Sequence, residues 1–195
     1  MPSVRLLSIT PNYMELLKAA CSKPYGNDVS EKGIKAIIEN GHLSVLEHCY
    51  ASFEVKCSVR VLGQLTRHRH LSFTVKSARG SKFESMYVTR KMHEQIGDKL
   101  GDIELKMYYA ALEAGCPYED AAYLLPQGVE TKMVVTGNFR AWYEYLPKRL
   151  CKRAMPEHRQ VALLIQNELR RAAPEIFYKN FLNCENCKEK SCDFK

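Results

Sequence analysis

Between Gln64 and Arg79 the chain reads Gln-Leu-Thr-Arg-His-Arg-His-Leu-Ser-Phe-Thr-Val-Lys-Ser-Ala-Arg, its densest run of groups able to do chemistry. Arg67, His68, Arg69, His70, Lys76 and Arg79 carry or can carry positive charge, and Ser72, Thr74 and Ser77 lie among them. Guanidinium groups offer planar paired donors that match phosphate oxygens, and short hydroxyls add further donors. The segment can therefore hold a pyrophosphate or a nucleotide phosphate. The same composition fits a solvated basic loop or a general nucleic-acid patch, and composition alone does not separate the two. Ser77 has no evident activating base nearby, so binding suits it better than attack as a nucleophile.

Three further places invite a chemical reading. His42, Glu47 and His48 could be taken as metal ligands, but the trio matches no standard zinc spacing, which leaves orientation of a pocket or structural hydrogen bonding. Trp142, Tyr143 and Tyr145 could stack on a flat ring, yet aromatics at helical spacing are more often core. Cys184, Cys187 and Cys192 close the chain as Cys-x-x-Cys plus a third thiol. Such a set holds zinc or an iron–sulfur cluster only if a fourth ligand arrives from elsewhere, so no metal is assigned and the three remain weak candidates beside free thiols on a tail.

These groups need a scaffold, and the apolar pattern supplies one. Val4 to Ile9 reads as a strand, followed by a helix capped by Thr10 with Pro11 at its first position and Met14, Leu17 and Ala20 on one face. Ser30 caps a second helix through Ile34, Ile37 and Ile38 that ends at Gly41. From Tyr50 to Val59 the residues alternate, with Ala51, Phe53, Val55, Cys57 and Val59 facing one way, as in a half-buried strand. A short helix with Val59, Leu62 and Leu65 inward then delivers Arg67, His68 and Arg69 to a loop. Ile103, Met107, Tyr108, Ala111 and Leu112 form a helical stripe closed by Gly115. Val161, Leu164, Ile165 and Leu169 form another after Pro156. Val134 to Thr136 reads as β and leads into Asn138. The expected fold is a single α+β domain, a modest sheet surrounded by helices, over residues 1–182 with a Cys-containing tail at 183–195.

At 195 residues and 46% hydrophobic the chain can bury one core of its own, and its formal charge of +7 favours anionic partners. No apolar stretch is long enough for a signal peptide core or a membrane span, so a cytoplasmic protein is expected. In a reducing compartment eight cysteines do not form a disulfide framework, and Cys21, Cys49, Cys57, Cys116 and Cys151 read as small buried hydrophobes.

The string from Arg67 to Ser77, Arg-His-Arg then seven residues then Ser, resembles the signature of the flavin-dependent thymidylate synthases. Gly41 to His48 is similar to that family's Gly-His-x-Ser/Thr-x-x-Glu-His segment. Leu125-Pro126, Asn138-Phe139-Arg140 and Arg149 resemble its later elements, in the same order. The resemblance implies a homotetramer with FAD and a nucleotide at the subunit interfaces. Ser44, Arg67, His68, Arg69, His70, Asn138 and Arg140 would bind the flavin, with Glu144 at a position where members carry Asn. Gln64, Arg67, Ser77, Arg79 and Arg149 would hold dUMP, with Arg149 as the catalytic residue that stabilises an anionic uracil ring at its N3/O4 edge. A methylene from methylenetetrahydrofolate and a hydride from NADPH by way of FAD would give dTMP. No cysteine nucleophile is needed, and neither membrane nor nucleic acid is an expected partner.

Some positions depart from the family pattern. Thr74 and Val75 stand where members usually have Asn and Glu, Gly80 replaces a Tyr, and Ala122 replaces an arginine. Met155 and Pro156 interrupt a usual Ala-Gln-x-Glu stretch. Each lost polar contact would weaken nucleotide binding by about 1 to 3 kcal/mol if nothing replaced it. Lys76, Lys148 and Arg153 could restore charge. The competing expectations are a divergent paralog acting on another pyrimidine nucleotide and a basic nucleic-acid-binding module.

Overall fold

A computed structural model of the chain describes residues 1–24, 26–97, 100–182, 184 and 187–194, apart from the side chains of 100–102 and 104. In chain order the elements are β1 (Ser3–Ile9), α1 (Tyr13–Ser22), α2 (Glu31–Glu39), a 3-10 segment (Leu43–His48), β2 (Tyr50–Ser58), α3 (Val59–Leu65) and β3 (Leu71–Val75). Next come α4 (Arg90–Ile96), α5 (Leu100–Glu113), α6 (Tyr118–Ala121), a 3-10 turn (Ala122–Leu124), β4 (Glu130–Asn138), α7 (Phe139–Leu150), α8 (Pro156–Ala172) and α9 (Pro174–Phe177). The strands form one antiparallel sheet in the order β1-β2-β4-β3, so the expected α+β architecture holds.

Alternation sets which face of the sheet is covered. Ala51, Phe53, Val55 and Cys57 of β2 are fully buried, and they stand opposite Gly137, Val135, Met133 and Thr131 of β4, so two strands present one continuous apolar face. Against it lie α7 and α8. The Trp142 ring meets Phe53 edge-on at 5.1 Å, and its Nε1 donates to the Ala51 carbonyl at 3.1 Å. Val161, Ile165 and Leu169 of α8 complete this core, and Phe177 and Phe181 close it. A smaller cluster of Phe83, Leu105, Tyr108, Ala121 and Val129 fastens α5 and α6 at one side.

Several local expectations are corrected. Helix α1 begins after Asn12, which adopts φ 50° and makes no side-chain cap bond. Thr10 does not cap it: its Oγ1 accepts from Tyr50 N at 2.8 Å, because extending the β1–β2 pairing outweighs a local cap. In α3 Val61 and Leu65 are buried and Leu62 packs against the core as expected, while Val59 turns toward the smaller cluster. Ile103 and Met107 are exposed, while Tyr108, Ala111 and Leu112 of the expected stripe meet that cluster together with Leu105. Cys21, Cys49 and Cys57 are buried as expected, but Cys116 is exposed and Cys151 only half-buried. Strand β3, which follows the loop at Arg67 to Arg69, was not read from the sequence. The cap of α2 by Ser30 and its end at left-handed Gly41 are as read. No helix among the described residues is long and apolar enough to cross a membrane.

Candidate functional site

Helix α3 points the basic loop, and a buried carboxylate points α3. The Ser58 hydroxyl accepts from Val61 N at 3.2 Å and caps the helix. That hydroxyl donates to Glu157 Oε2 at 2.6 Å, and Ser58 N donates to Oε1 at 2.7 Å, so the first turn of α8 holds the start of α3. Burial pushes the Glu157 carboxyl above its usual range even though Ser58 donates to it twice.

One residue on, His158 is fully buried and joins the other end of α3 to α7. Its Nδ1 stands 3.2 Å from Gln64 Oε1 and its Nε2 3.2 Å from Tyr145 Oη. The amide oxygen can only accept, so Nδ1 carries the proton and Nε2 accepts from the tyrosine. Gln64 Nε2 in turn donates to Met155 Sδ at 3.5 Å. Burial, then the charge of Arg149, holds the His158 imidazole down to about 3, in keeping with a neutral ring.

Beyond Gln64 the chain turns through Arg67 to His70 into β3. His68 packs edge-on against Tyr145 at 4.8 Å. Arg149, near the end of α7, donates from Nε to His68 Nε2 at 2.8 Å and from Nη2 to the Gln64 carbonyl at 3.3 Å. His68 therefore accepts at Nε2 and keeps its proton on Nδ1. Burial, then Arg149 and Lys148, lowers its pKa to about 4. The guanidinium is thus fixed by two acceptors, with Nη1 uncommitted among the described residues.

Helix α7 supplies the facing wall. Arg140, Glu144 and Lys148 recur every four residues on one side, with Ala141 and Tyr145 between them, while Phe139, Trp142 and Leu146 are buried on the other. Two adjoining cavities open along that side. One, of about 220 Å³, is bordered by Glu47, His70, Asn138, Arg140 and Glu144. The other, of about 260 Å³, is bordered by Arg67, His68, Arg69, His70, Glu144 and Lys148 among others. Arg140 bridges Glu47 at 2.6 Å and Glu144 at 2.9 Å. Ser44 lies one 3-10 turn before Glu47 and so shares its edge. Asn138 Oδ1 caps α7 by accepting from Ala141 N at 2.7 Å, which leaves its amide nitrogen to reach a ligand.

Most of the residues read from sequence thus gather at one end of the sheet: Ser44, Gln64, Arg67, His68, Arg69, His70, Asn138, Arg140, Glu144, Lys148 and Arg149. Ser77 and Arg79 do not join them. Strand β3 carries the chain about 15 to 20 Å away before Ser77 is reached. There Ser77 Oγ accepts from Arg79 N at 3.2 Å, and Arg79 pairs with Glu119 at 2.7 Å. The departures at Thr74, Val75, Gly80 and Ala122 lie toward that same far end. Lys76 donates to the Lys82 carbonyl and Arg153 pairs with Glu189, so of the three substitute cations only Lys148 stands at the cluster. His42 and His48 are exposed, and no group of three His, Cys, Asp or Glu is placed to hold a metal ion among the described residues.

Glu157 and His158 went unread as site residues, and Tyr145 was weighed only as a ring-stacking or core aromatic. A signal existed: His158 falls on the same stripe as Val161, Ala162 and Ile165, and a polar group on an apolar helical face needs a buried partner.

Whether this end of the molecule fits FAD can be judged from its donors. Arg67, Arg69 and His70 are exposed, and none of their side chains has an ion-pair or hydrogen-bond partner among the described residues. Beside them stand a hydroxyl, an amide and a guanidinium. Uncompensated cations converging on a concave wall suit a pyrophosphate, and the neutral His68 face and Ala141 suit a flat ring. Each cavity alone falls below the roughly 300 to 1,000 Å³ of ordinary ligand pockets. The donor set fits the group, while the enclosure calls for further walls.

Comparison with known proteins agrees with this geometry. Residues 5–175 match the family model Thy1, described as thymidylate synthase complementing protein. The chain is 36% identical to the flavin-dependent thymidylate synthase of Sulfolobus acidocaldarius over 83% of its own length and 65% of that protein's, just under two thirds. It is 33% identical to that of Saccharolobus solfataricus, over 94% and 78%. With that of Nitratidesulfovibrio vulgaris it shares 32% identity, over 94% and 89%. A match across nearly the whole chain, with the basic loop and the face of α7 meeting at one end of the sheet, places this protein in the Thy1 family, that of the flavin-dependent thymidylate synthases.

Proposed function

We propose that the protein is an FAD-dependent thymidylate synthase, a methyltransferase that takes a methylene from methylenetetrahydrofolate and reducing equivalents from NADPH to convert dUMP to dTMP. Bound FAD would relay the hydride. Arg67, Arg69 and His70 would grip its phosphates, with Ser44, Asn138, Arg140 and Glu144 along the facing wall and His68 against the ring. The observation that carries this reading is the clamp on Arg149. Held by His68 and the Gln64 carbonyl, its guanidinium keeps donors aimed without reorganisation, as stabilisation of negative charge on a uracil ring requires. Lys148 adds positive charge beside it.

Ser77 and Arg79 would bind the nucleotide of another subunit's site. This fits their position one strand-length from Arg149 and the shallow enclosure of each cavity, and the active unit in this reading is a homotetramer in the cytoplasm. Residues 1–182 form the synthase domain in this reading, and 183–195 an appended segment.

The test is direct. The purified protein is expected to show a flavin spectrum that dUMP perturbs, and to form dTMP only when NADPH and methylenetetrahydrofolate are both present. The Arg149→Ala variant should keep its flavin and form none. A colourless protein that instead retains nucleic acid with steep salt dependence would refute the proposal.

A further inference from the structure

The tail and the end of α7 meet in a way that the synthase reading does not use. A cavity of about 200 Å³ is bordered by four thiols, Cys151, Cys184, Cys187 and Cys192, with Pro147 and Phe181 among its apolar walls. We infer that these four cysteines form a tetrahedral thiolate site for a zinc ion, with Cys151 as the fourth ligand that the tail alone lacks.

Each part of the chain contributes to that convergence. Cys187 N donates to the Cys184 carbonyl at 3.3 Å, and both residues border the cavity. The last residues fold back over the α7–α8 connection: Lys152 Nζ donates to the Phe194 carbonyl at 3.3 Å, and Arg153 reaches Ser191 Oγ at 3.4 Å and Glu189 at 3.7 Å. These contacts bring Cys192 and the Cys-x-x-Cys pair to Cys151, which is the first residue after α7. All four thiols are free of disulfides.

Charge and wall chemistry favour the same occupant. Four thiolates around a divalent zinc carry two net negative charges, and Lys152, Arg153, Lys188 and Lys190 supply nearby compensation. Thiolate ligands select zinc or an iron–sulfur centre over harder cations, and four thiolates with no open position make a structural rather than a catalytic site. No three of these side chains are yet placed to hold an ion together. Zinc–sulfur bonds of about 2.3 Å set neighbouring sulfurs about 3.8 Å apart, so binding draws the tail inward and is coupled to its ordering. The site then ties the tail to the end of α7, two residues from Arg149.

The experiment uses the full chain, purified under reducing conditions, and does not depend on flavin or turnover. Metal analysis is expected to give close to one zinc per chain. Cobalt added after zinc removal should produce thiolate charge-transfer bands and the strong red bands of a tetrahedral site, which lie beyond flavin absorption. Four thiols should become reactive toward a maleimide only when a chelator is present. Cys151→Ser should weaken zinc binding by more than about 100-fold, beyond what loss of an outer-shell partner does, with its circular dichroism unchanged. Cys116→Ser, an exposed thiol away from the cavity, should bind zinc as the parent does. Absence of zinc, iron with sulfide in its place, disulfides among the four, or unchanged affinity in Cys151→Ser would overturn the inference.

Discussion

At the scale of single residues, the proposed chemistry depends on a histidine that stays neutral. Only an unprotonated His68 Nε2 can accept from Arg149, and that bond together with the one to the Gln64 carbonyl fixes the guanidinium. Lysine at position 149 keeps the charge but loses the planar fork that serves His68 and the Gln64 carbonyl together. Steady-state kinetics of Arg149→Lys should show kcat lower by about 100-fold or more, the usual effect of losing one preorganised donor, with flavin binding intact. An unchanged kcat would mean that charge alone suffices. The two buried imidazoles also set a pH dependence. Below the ordinary pKa of 6.5 the unfolded chain takes up protons that the folded one refuses until about pH 4 at His68 and about pH 3 at His158. Their contribution is therefore complete above pH 6.5 and is lost progressively as pH falls toward 4, by up to about tenfold in the folding constant per pH unit for each group. Thermal melts between pH 7.5 and 4.5 should show this decline, and His158→Gln should make it shallower. An identical slope in that variant would argue against a buried neutral His158.

At the scale of elements, two joints hold the basic loop in place. Glu157 satisfies both donors of Ser58 in a buried setting, so Glu157→Ala should lower stability by about 2 to 4 kcal/mol in chemical denaturation, one unsatisfied group costing about 1 to 3 kcal/mol. At the other joint, a Cβ on Gly137 would stand 2.3 Å from Leu71 Cδ2, where β4 meets the start of β3. Gly137→Ala should force Leu71 outward, cost about 1 to 3 kcal/mol and weaken flavin binding through the adjoining residues 67–70. A variant that melts like the parent would show that the contact relaxes freely. The same elements show what the sequence made legible. Strand β2 was readable because its alternation matches its burial on both faces. Strand β3 was not: its Ser72 and Thr74 look like phosphate donors, and only pairing with β4 makes Leu71 to Val75 a strand. The site residues came from motif spacing, which is local. His158, Glu157 and Tyr145 act through contacts 13 to 99 residues apart in sequence, and no local pattern announces those partners.

At the scale of the whole molecule, the residues proposed for one reaction are divided between two ends of a strand. Arg149 and the basic loop stand at one end of β3, and Ser77 and Arg79 at the other, where the departures at Thr74, Val75, Gly80 and Ala122 also lie, while those at Glu144 and Met155 stand at the first end. If neighbouring subunits pair unlike ends, Arg149→Ala and Arg79→Ala chains should each be inactive alone, yet recover part of the activity when unfolded together and refolded as mixed oligomers. No recovery on mixing would place each site within one chain. The far end is also where dUMP affinity should respond to restored family residues, such as Ala122→Arg. The cluster around residues 67 to 70 remains the premise for all of this. Its most direct test is titration of FAD into the parent and into the Arg67→Ala/Arg69→Ala double variant. Both side chains are exposed and unpaired among the described residues, so the variant should melt within about 0.5 kcal/mol of the parent. Two charge-assisted contacts of about 1.5 to 3 kcal/mol each should cost it about 100-fold or more in FAD affinity. Equal FAD affinity in the two proteins would contradict the account.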